Sequence, residues 1–149
     1  MTDLLLAIAH HLLVFSLAGV LFAEFILLKP GLSGRNLSIL GNLDRAYGGL
    51  ALAIIVVGVG RVMHGLKGWE YYVYNDAFWA KMGAFLVVGL LSIPPTIRII
   101  KWRRDAGSSS GHVVPDSEIA SMRRYLHAEL AVFALILVFA AMMARGLGA

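Results

Sequence analysis

Residues 4–28 read LLLAIAHHLLVFSLAGVLFAEFILL, an apolar run broken by only three ionisable side chains, His10, His11 and Glu24. The run exceeds the ~20 residues an α-helix needs to cross ~30 Å of hydrocarbon at ~1.5 Å per residue. Lipid offers no water to backbone amides and carbonyls, so a spanning segment of this kind must bond to itself as a helix. Asp3 stands where a signal peptide carries basic residues, and the run outlasts the ~7–15-residue core of such a peptide. It therefore reads as a retained span.

Three further apolar runs follow, Ala46–Met63, Ala77–Ile93 and Ala128–Ala144. Polar-flanked extensions bring the expected helices to about 3–29, 38–64, 76–104 and 116–145. With 59% hydrophobic and 15% charged residues among 149, the chain is far more apolar than a soluble domain. No soluble domain is expected. Short links favour antiparallel neighbours, so the expected fold is all-α: one transmembrane domain over residues 1–149, a four-helix bundle in up-down-up-down order. With no cysteine in the sequence, disulfides, thiolate metal sites and thiol redox chemistry are excluded.

The net charge of +4 follows membrane topology rather than a nucleic-acid footprint. Lys29, Arg35 and Arg45 surround the first connection, and Arg98, Lys101, Arg103, Arg104, Arg123 and Arg124 surround the third. Only Arg61, Lys67, Lys81 and Arg145 belong to the other side. This asymmetry places the first and third connections in the cytoplasm of a bacterial inner membrane and both termini outside. Lipid headgroups account for the basic clusters.

In the first connection, Lys29-Pro-Gly-Leu-Ser-Gly-Arg stops the first helix and turns the chain. Leu37, Leu40, Leu43 and Tyr47 then recur at helical spacing and predict an interfacial amphipathic start to the second helix. Trp69, Tyr71, Tyr72 and Tyr74 in the second connection have the composition of an outer interface belt. Asn75 or Asp76 can cap the third helix, and Asp116 or Ser117 the fourth. Pro94-Pro95 predicts an interruption of the third helix, and Asp105–Asp116 a flexible hydrophilic linker. Gly19, Gly48, Gly49, Gly58, Gly60, Gly83 and Gly89 predict close helix approach, or alternatively room for a flat cofactor.

Ionisable groups at membrane depth are costly unless paired, ligated or solvated, so each is a candidate site. His10 and Glu24 are 14 residues apart, which puts them about 40° apart in projection and about 21 Å apart along one helix face. His11 points about 100° away from that stripe. The outer half of the bundle also receives Arg61, His64 and Lys81. One or two imidazoles with two cations suit a b-type haem: His10, with His64 or His11 as second donor, would ligate iron, while Arg61 and Lys81 neutralise propionates. A copper site fits the set less well, because no Met or carboxylate is evidently adjacent. Alternatively His10 bonds a backbone carbonyl and the cations snorkel to headgroups. The inner half holds Glu24, Arg45, Arg123, Arg124, His127 and Glu129. Glu24 paired with Arg45 or Arg124 would fix helix register; a proton path through His127 and Glu24 is the other reading. His112 in the linker is expected to be solvated. No nucleophile–base arrangement, phosphate loop or zinc-protease spacing is present, which argues against a conventional hydrolase or nucleotide-driven pump.

The central stretch Gly60-Arg61 … Gly65-Leu-Lys67-Gly68 … Tyr71-Tyr72 … Asn75 … Phe78-Trp79-Ala80-Lys81-Met82, with Gly89-Leu-Leu-Ser92-Ile-Pro94-Pro95-Thr96, resembles a bacterial family of four-helix membrane proteins of unknown function. That resemblance implies a fold and a location but no activity. More distantly, His10, Leu43-Asp44-Arg45, Trp79-Ala80-Lys81 and His127-Ala-Glu129 resemble landmarks of the haem-containing membrane protoporphyrinogen oxidases, and the layout is similar to copper-resistance D-type membrane domains. The resemblance to the oxidases implies His10 as axial haem ligand and Lys81 as a functional cation. Ala23-Glu24-Phe25 departs from the aromatic-Pro-Arg sequence those oxidases carry there, which argues against a porphyrinogen substrate. The expected function is a b-haem membrane protein exchanging electrons with a quinone or small hydrophobic substrate, with Lys81 and Glu24 as catalytic candidates. A copper- or ion-handling transporter and a cofactor-free structural subunit are the alternatives; a homodimer through glycine faces is a further expectation.

Overall fold

The computed structural model describes residues 1–65, 68–109 and 111–147. Four long helices, α1 (Thr2–Leu27), α2 (Gly34–His64), α4 (Asp76–Ser108) and α5 (Asp116–Ala144), are joined by short connections, with a single short helix, α3 (Gly68–Val73), between α2 and α4. All four are long and apolar enough to cross a membrane. The chain is all-α and a membrane bundle, as its hydropathy demands. The consecutive pairs α1/α2 and α4/α5 pack most extensively, while α2/α4 and α1/α5 meet more sparsely. The start of α1, the end of α5 and α3 therefore lie at one end, here the terminal end. The α1–α2 and α4–α5 connections lie at the other, the loop end.

Core positions follow the three–four spacing of antiparallel bundles. Leu17, Leu21 and Glu24 face inward on α1, and Ile119, Met122, Leu126, Glu129, Phe133 and Ile136 on α5. On α4 the inward residues include Val88, Pro95, Ile99 and Trp102. Most of this core lies in the loop half, where Leu21, Leu40, Leu126 and Trp102 are fully enclosed. Exposed Phe15, Phe22, Leu52, Leu86 and Leu90 make the outer surface apolar instead, as lipid requires.

The connections are better anchored than their composition predicts. α4 runs unbroken through Pro94 and Pro95 to Ser108. Proline's own φ is helical, so the cost is two missing amide donors. Pro95, Ile99 and Trp102 are buried, and that packing keeps the segment helical through the two prolines. The expected flexible linker is largely structured: Val114 is buried, its amide donates to Leu32 O at 3.0 Å, and Val113 pairs with Ser33 across the two connections. Ser110, within that linker, and Lys67, counted among the terminal-end cations, lie outside the described residues.

Cap residues divide. Asn75 Oδ1 accepts from the Phe78 amide at 3.0 Å and starts α4. Neither Asp116 nor Ser117 caps α5, because the docked Val114 places Pro115 at the N-cap, where its carbonyl accepts from the Glu118 and Ile119 amides. At the start of α2 the apolar face is packed inward: Leu37, Leu40 and Tyr47 are buried in the core. In the second connection Trp69 and Tyr74 stay exposed. Tyr71 and Tyr72 turn inward, and Tyr71 Oη donates to Met143 O at 2.7 Å, tying α3 to the end of α5.

Candidate functional site

The helices of the terminal half enclose a cavity of about 330 Å³. Its walls are mainly aliphatic and aromatic, including Val14, Ile54, Phe85 and Phe133, with Met63, Met82 and Met143 as flexible parts. Three basic residues reach it, His10 from α1, Arg61 from α2 and Lys81 from α4, together with Tyr72 from α3. Each of the three basic residues comes from an apolar helix, so bundle geometry rather than chain proximity brings them together. Arg61 and Lys81 lie close enough for their charge to act on His10. The imidazole packs near Gly58, where any side chain would meet its Cε1.

His10 Nδ1 and Arg61 Nε are buried and have no hydrogen-bond partner. His10 therefore does not bond a backbone carbonyl through that nitrogen. Lys81 Nζ sits 5.5 Å from the centre of the Phe78 ring. His64 is exposed, its Nδ1 lies 3.2 Å from Gly60 O, and it does not line the cavity. His11 is likewise exposed, with Nδ1 2.7 Å from Ala7 O. The structure thus brings His10, Arg61 and Lys81 together and leaves both other imidazoles outside.

The loop half carries a different polar set. Glu24, Asp44 and Glu129 project from α1, α2 and α5, all buried, and lie near enough for their charges to interact. Tyr47 Oη donates to Glu129 Oε1 at 3.2 Å, and Thr96 Oγ1 donates to Asp44 Oδ1 at 2.7 Å. Glu24 Oε1 has no hydrogen-bond partner. The expected ion pair of Glu24 with Arg45 or Arg124 is not formed: both arginines point to the surface, and among the described residues the one ion pair is Arg98–Glu118, at 3.4 Å. Long arginine stems keep their heads in the interface, whereas the short carboxyl stems stay inside.

Arg123 turns instead to the end of α1, donating to Leu28 O at 2.6 Å and Phe25 O at 3.3 Å and lying over the Phe25 ring. His127 is exposed, with Nδ1 2.8 Å from Arg123 O. It does not join the buried carboxyls. Asp44, Tyr47 and Thr96 escaped notice as a polar set in the sequence. The i,i+3 spacing of Asp44 and Tyr47 on the Leu37–Leu40 face was the available signal. Among the described residues no three His, Asp or Glu side chains gather as a metal-binding group; His10 is the one cavity imidazole, but Met63, Met82 and Met143 line the cavity with it, so the expectation that no Met lies adjacent does not hold.

The glycines also separate. Among the described residues, only Gly41, Gly58, Gly60 and Gly65 would bring a Cβ against a neighbour. Gly19, Gly48, Gly49, Gly83 and Gly89 face open space, so they are not the close-approach points that their frequency suggests.

Four apolar helices, a packed loop half and a cavity among ionisable residues define a multi-pass integral membrane protein. Over residues 2–148 the chain matches the model of the family described as "Predicted membrane protein (DUF2214)", and it belongs to that family. No curated protein and no solved structure shows a significant match.

Proposed function

We propose that this membrane protein binds a b-type haem in the terminal-half cavity and has a redox role. The observation that supports this is the buried, partnerless Nδ1 of His10, on a residue lining a cavity that also holds Arg61 and Lys81. The donor set fits the group: imidazole is a haem-iron ligand, and two cations balance two propionates. At about 330 Å³ the cavity is at the small end of the ~300–1,000 Å³ usual for ligand sites. Seating a macrocycle there requires the adaptable side chains of Met63, Met82 and Met143 to yield. When bound, haem supplies one-electron chemistry.

The protein's residues would do the rest. His10 orients the group, Arg61 and Lys81 hold its charged edge, and Val14, Phe85 and Phe133 exclude water. Glu24 lies in the other half of the bundle and on this reading holds a proton rather than touching the cofactor. The electron partner is a quinone or small hydrophobic molecule arriving from lipid. In the orientation expected from the basic residues, the cavity faces the outer leaflet of a bacterial inner membrane.

A visible spectrum of detergent-purified protein tests this. A Soret band is expected, lost in His10→Ala and kept in His64→Ala, since His64 lies outside the cavity. Colourless protein after expression with haem precursor overturns the proposal. The modest volume favours a second reading, in which the cavity takes the quinone-like molecule directly. Colourless protein that co-purifies with a quinone, lost in Arg61→Gln with Lys81→Gln, would establish that reading instead.

A further inference from the structure

A second opening adjoins the His10 cavity, with Leu17, Ile55 and Phe85 lining both, and extends from there toward the loop end. The sparse contact between α2 and α4 leaves a groove of about 750 Å³ between them. It runs along α2 from Gly41 to Ile55, about 21 Å at ~1.5 Å per residue. That exceeds the roughly 15 Å of one leaflet of a ~30 Å hydrocarbon core. Its deep end is apolar, walled by Ile55, Phe85 and Val88. Gly48 and Gly89 face each other's side of the groove with nothing near their missing side chains, which keeps the channel clear.

Three arginines cluster toward the loop end: Arg45 from α2, Arg103 and Arg104 from α4. Arg45 and Arg104 are exposed and committed to no ion pair among the described residues. Arg103 lies across α2 in the space left by Gly41, where even a methyl group would collide with its Cδ and crowd its guanidinium. The acid on the groove wall, Asp44, is only 9% exposed and accepts the Thr96 hydroxyl. Thr96 lies about 10 Å along α4 from Arg103. The head of the groove is therefore cationic, and its length is apolar.

We propose that this groove binds one anionic phospholipid, its phosphodiester held by Arg45, Arg103 and Arg104 and an acyl chain lying past Gly48 and Gly89. Guanidinium forks match phosphate oxygens in geometry and charge. An acyl chain completes the surface that the sparse α2/α4 contact leaves open. The site shares no polar residue with the His10 cavity, so it does not depend on the haem proposal.

Native mass spectrometry of delipidated protein titrated with phosphatidylglycerol or phosphatidylcholine tests the idea. Phosphatidylglycerol should bind at least about 10-fold more tightly, and Arg45→Gln or Arg104→Gln should each weaken it about 5-fold. The combined Arg45→Gln, Arg103→Gln, Arg104→Gln variant should lose on the order of 100-fold. Gly48→Leu with Gly89→Leu should block the chain channel and reduce retention of the lipid at least as much. Circular dichroism and size exclusion monitor the fold, and the two exposed single arginine variants decide the matter if the combined variant fails to fold. Equal binding of phosphatidylcholine, unchanged binding by the single arginine variants, or unchanged retention in the glycine variant would each overturn the proposal. So would displacement of phosphatidylglycerol by millimolar inorganic phosphate, which would mark a headgroup-only anion site.

Discussion

At the scale of single residues, the bundle's stability rests on a few polar groups whose partners are not interchangeable. Arg123 serves the carbonyls that α1 cannot satisfy at its own C-terminus, through two hydrogen bonds and a contact over Phe25. Hydrogen bonds from a charged donor are worth about 2 kcal/mol, so Arg123→Gln should lower unfolding free energy by roughly that amount, read by denaturant titration in detergent. Tyr47 and Glu129 form a buried pair. Tyr47→Phe strands the Glu129 carboxyl at a cost of about 2 kcal/mol, whereas removing both polar groups is close to neutral. Adding Glu129→Met to Tyr47→Phe should therefore recover most of the loss; a double variant weaker than the single would show that the pair supports more than itself.

At the scale of elements, the connections hold the helices in register. Val113 and Val114 adjoin in sequence but differ completely in setting: Val113 is 54% exposed, and Val114 is 1% exposed with its amide bonded to Leu32. Val114→Asp would bury a charge without a partner and should lower the melting temperature markedly, while Val113→Asp should leave it nearly unchanged. Equal effects would mean that the two connections do not dock. None of this was legible in Asp105–Asp116, whose Gly-Ser-Ser-Ser-Gly composition reads as a free linker. Its order comes from contact with a segment about 80 residues away. The Pro94-Pro95 step is similar, since local chemistry predicts a break and tertiary packing overrides it.

For the whole molecule, the question is which end faces which compartment. The distribution of basic residues predicts the loop end in the cytoplasm. The chain has no native cysteine, so single substitutions report cleanly. Tyr74→Cys, at an exposed site near α3, should react with a membrane-impermeant maleimide in intact cells. Ser109→Cys, just beyond α4, should react only after permeabilisation. The reverse pattern would invert the topology and move the His10 cavity to the cytoplasmic leaflet.

Hydropathy and helical periodicity by themselves determined four spans, the all-α class and the residues worth suspecting, because lipid penalises every unbonded backbone group and every unpartnered charge. They could not assign partners. That His10, Arg61 and Lys81 share a cavity while His64 turns away depended on the packing of three helices from distant parts of the chain. That Glu24 lies within charge range of Asp44 and Glu129 and pairs with no arginine depended on stem length: these carboxyls on short stems stay in the core, while the stems of Arg45 and Arg124 carry their heads to the surface. The groove between α2 and α4 is likewise a tertiary product, since it exists only where two helices fail to close on one another.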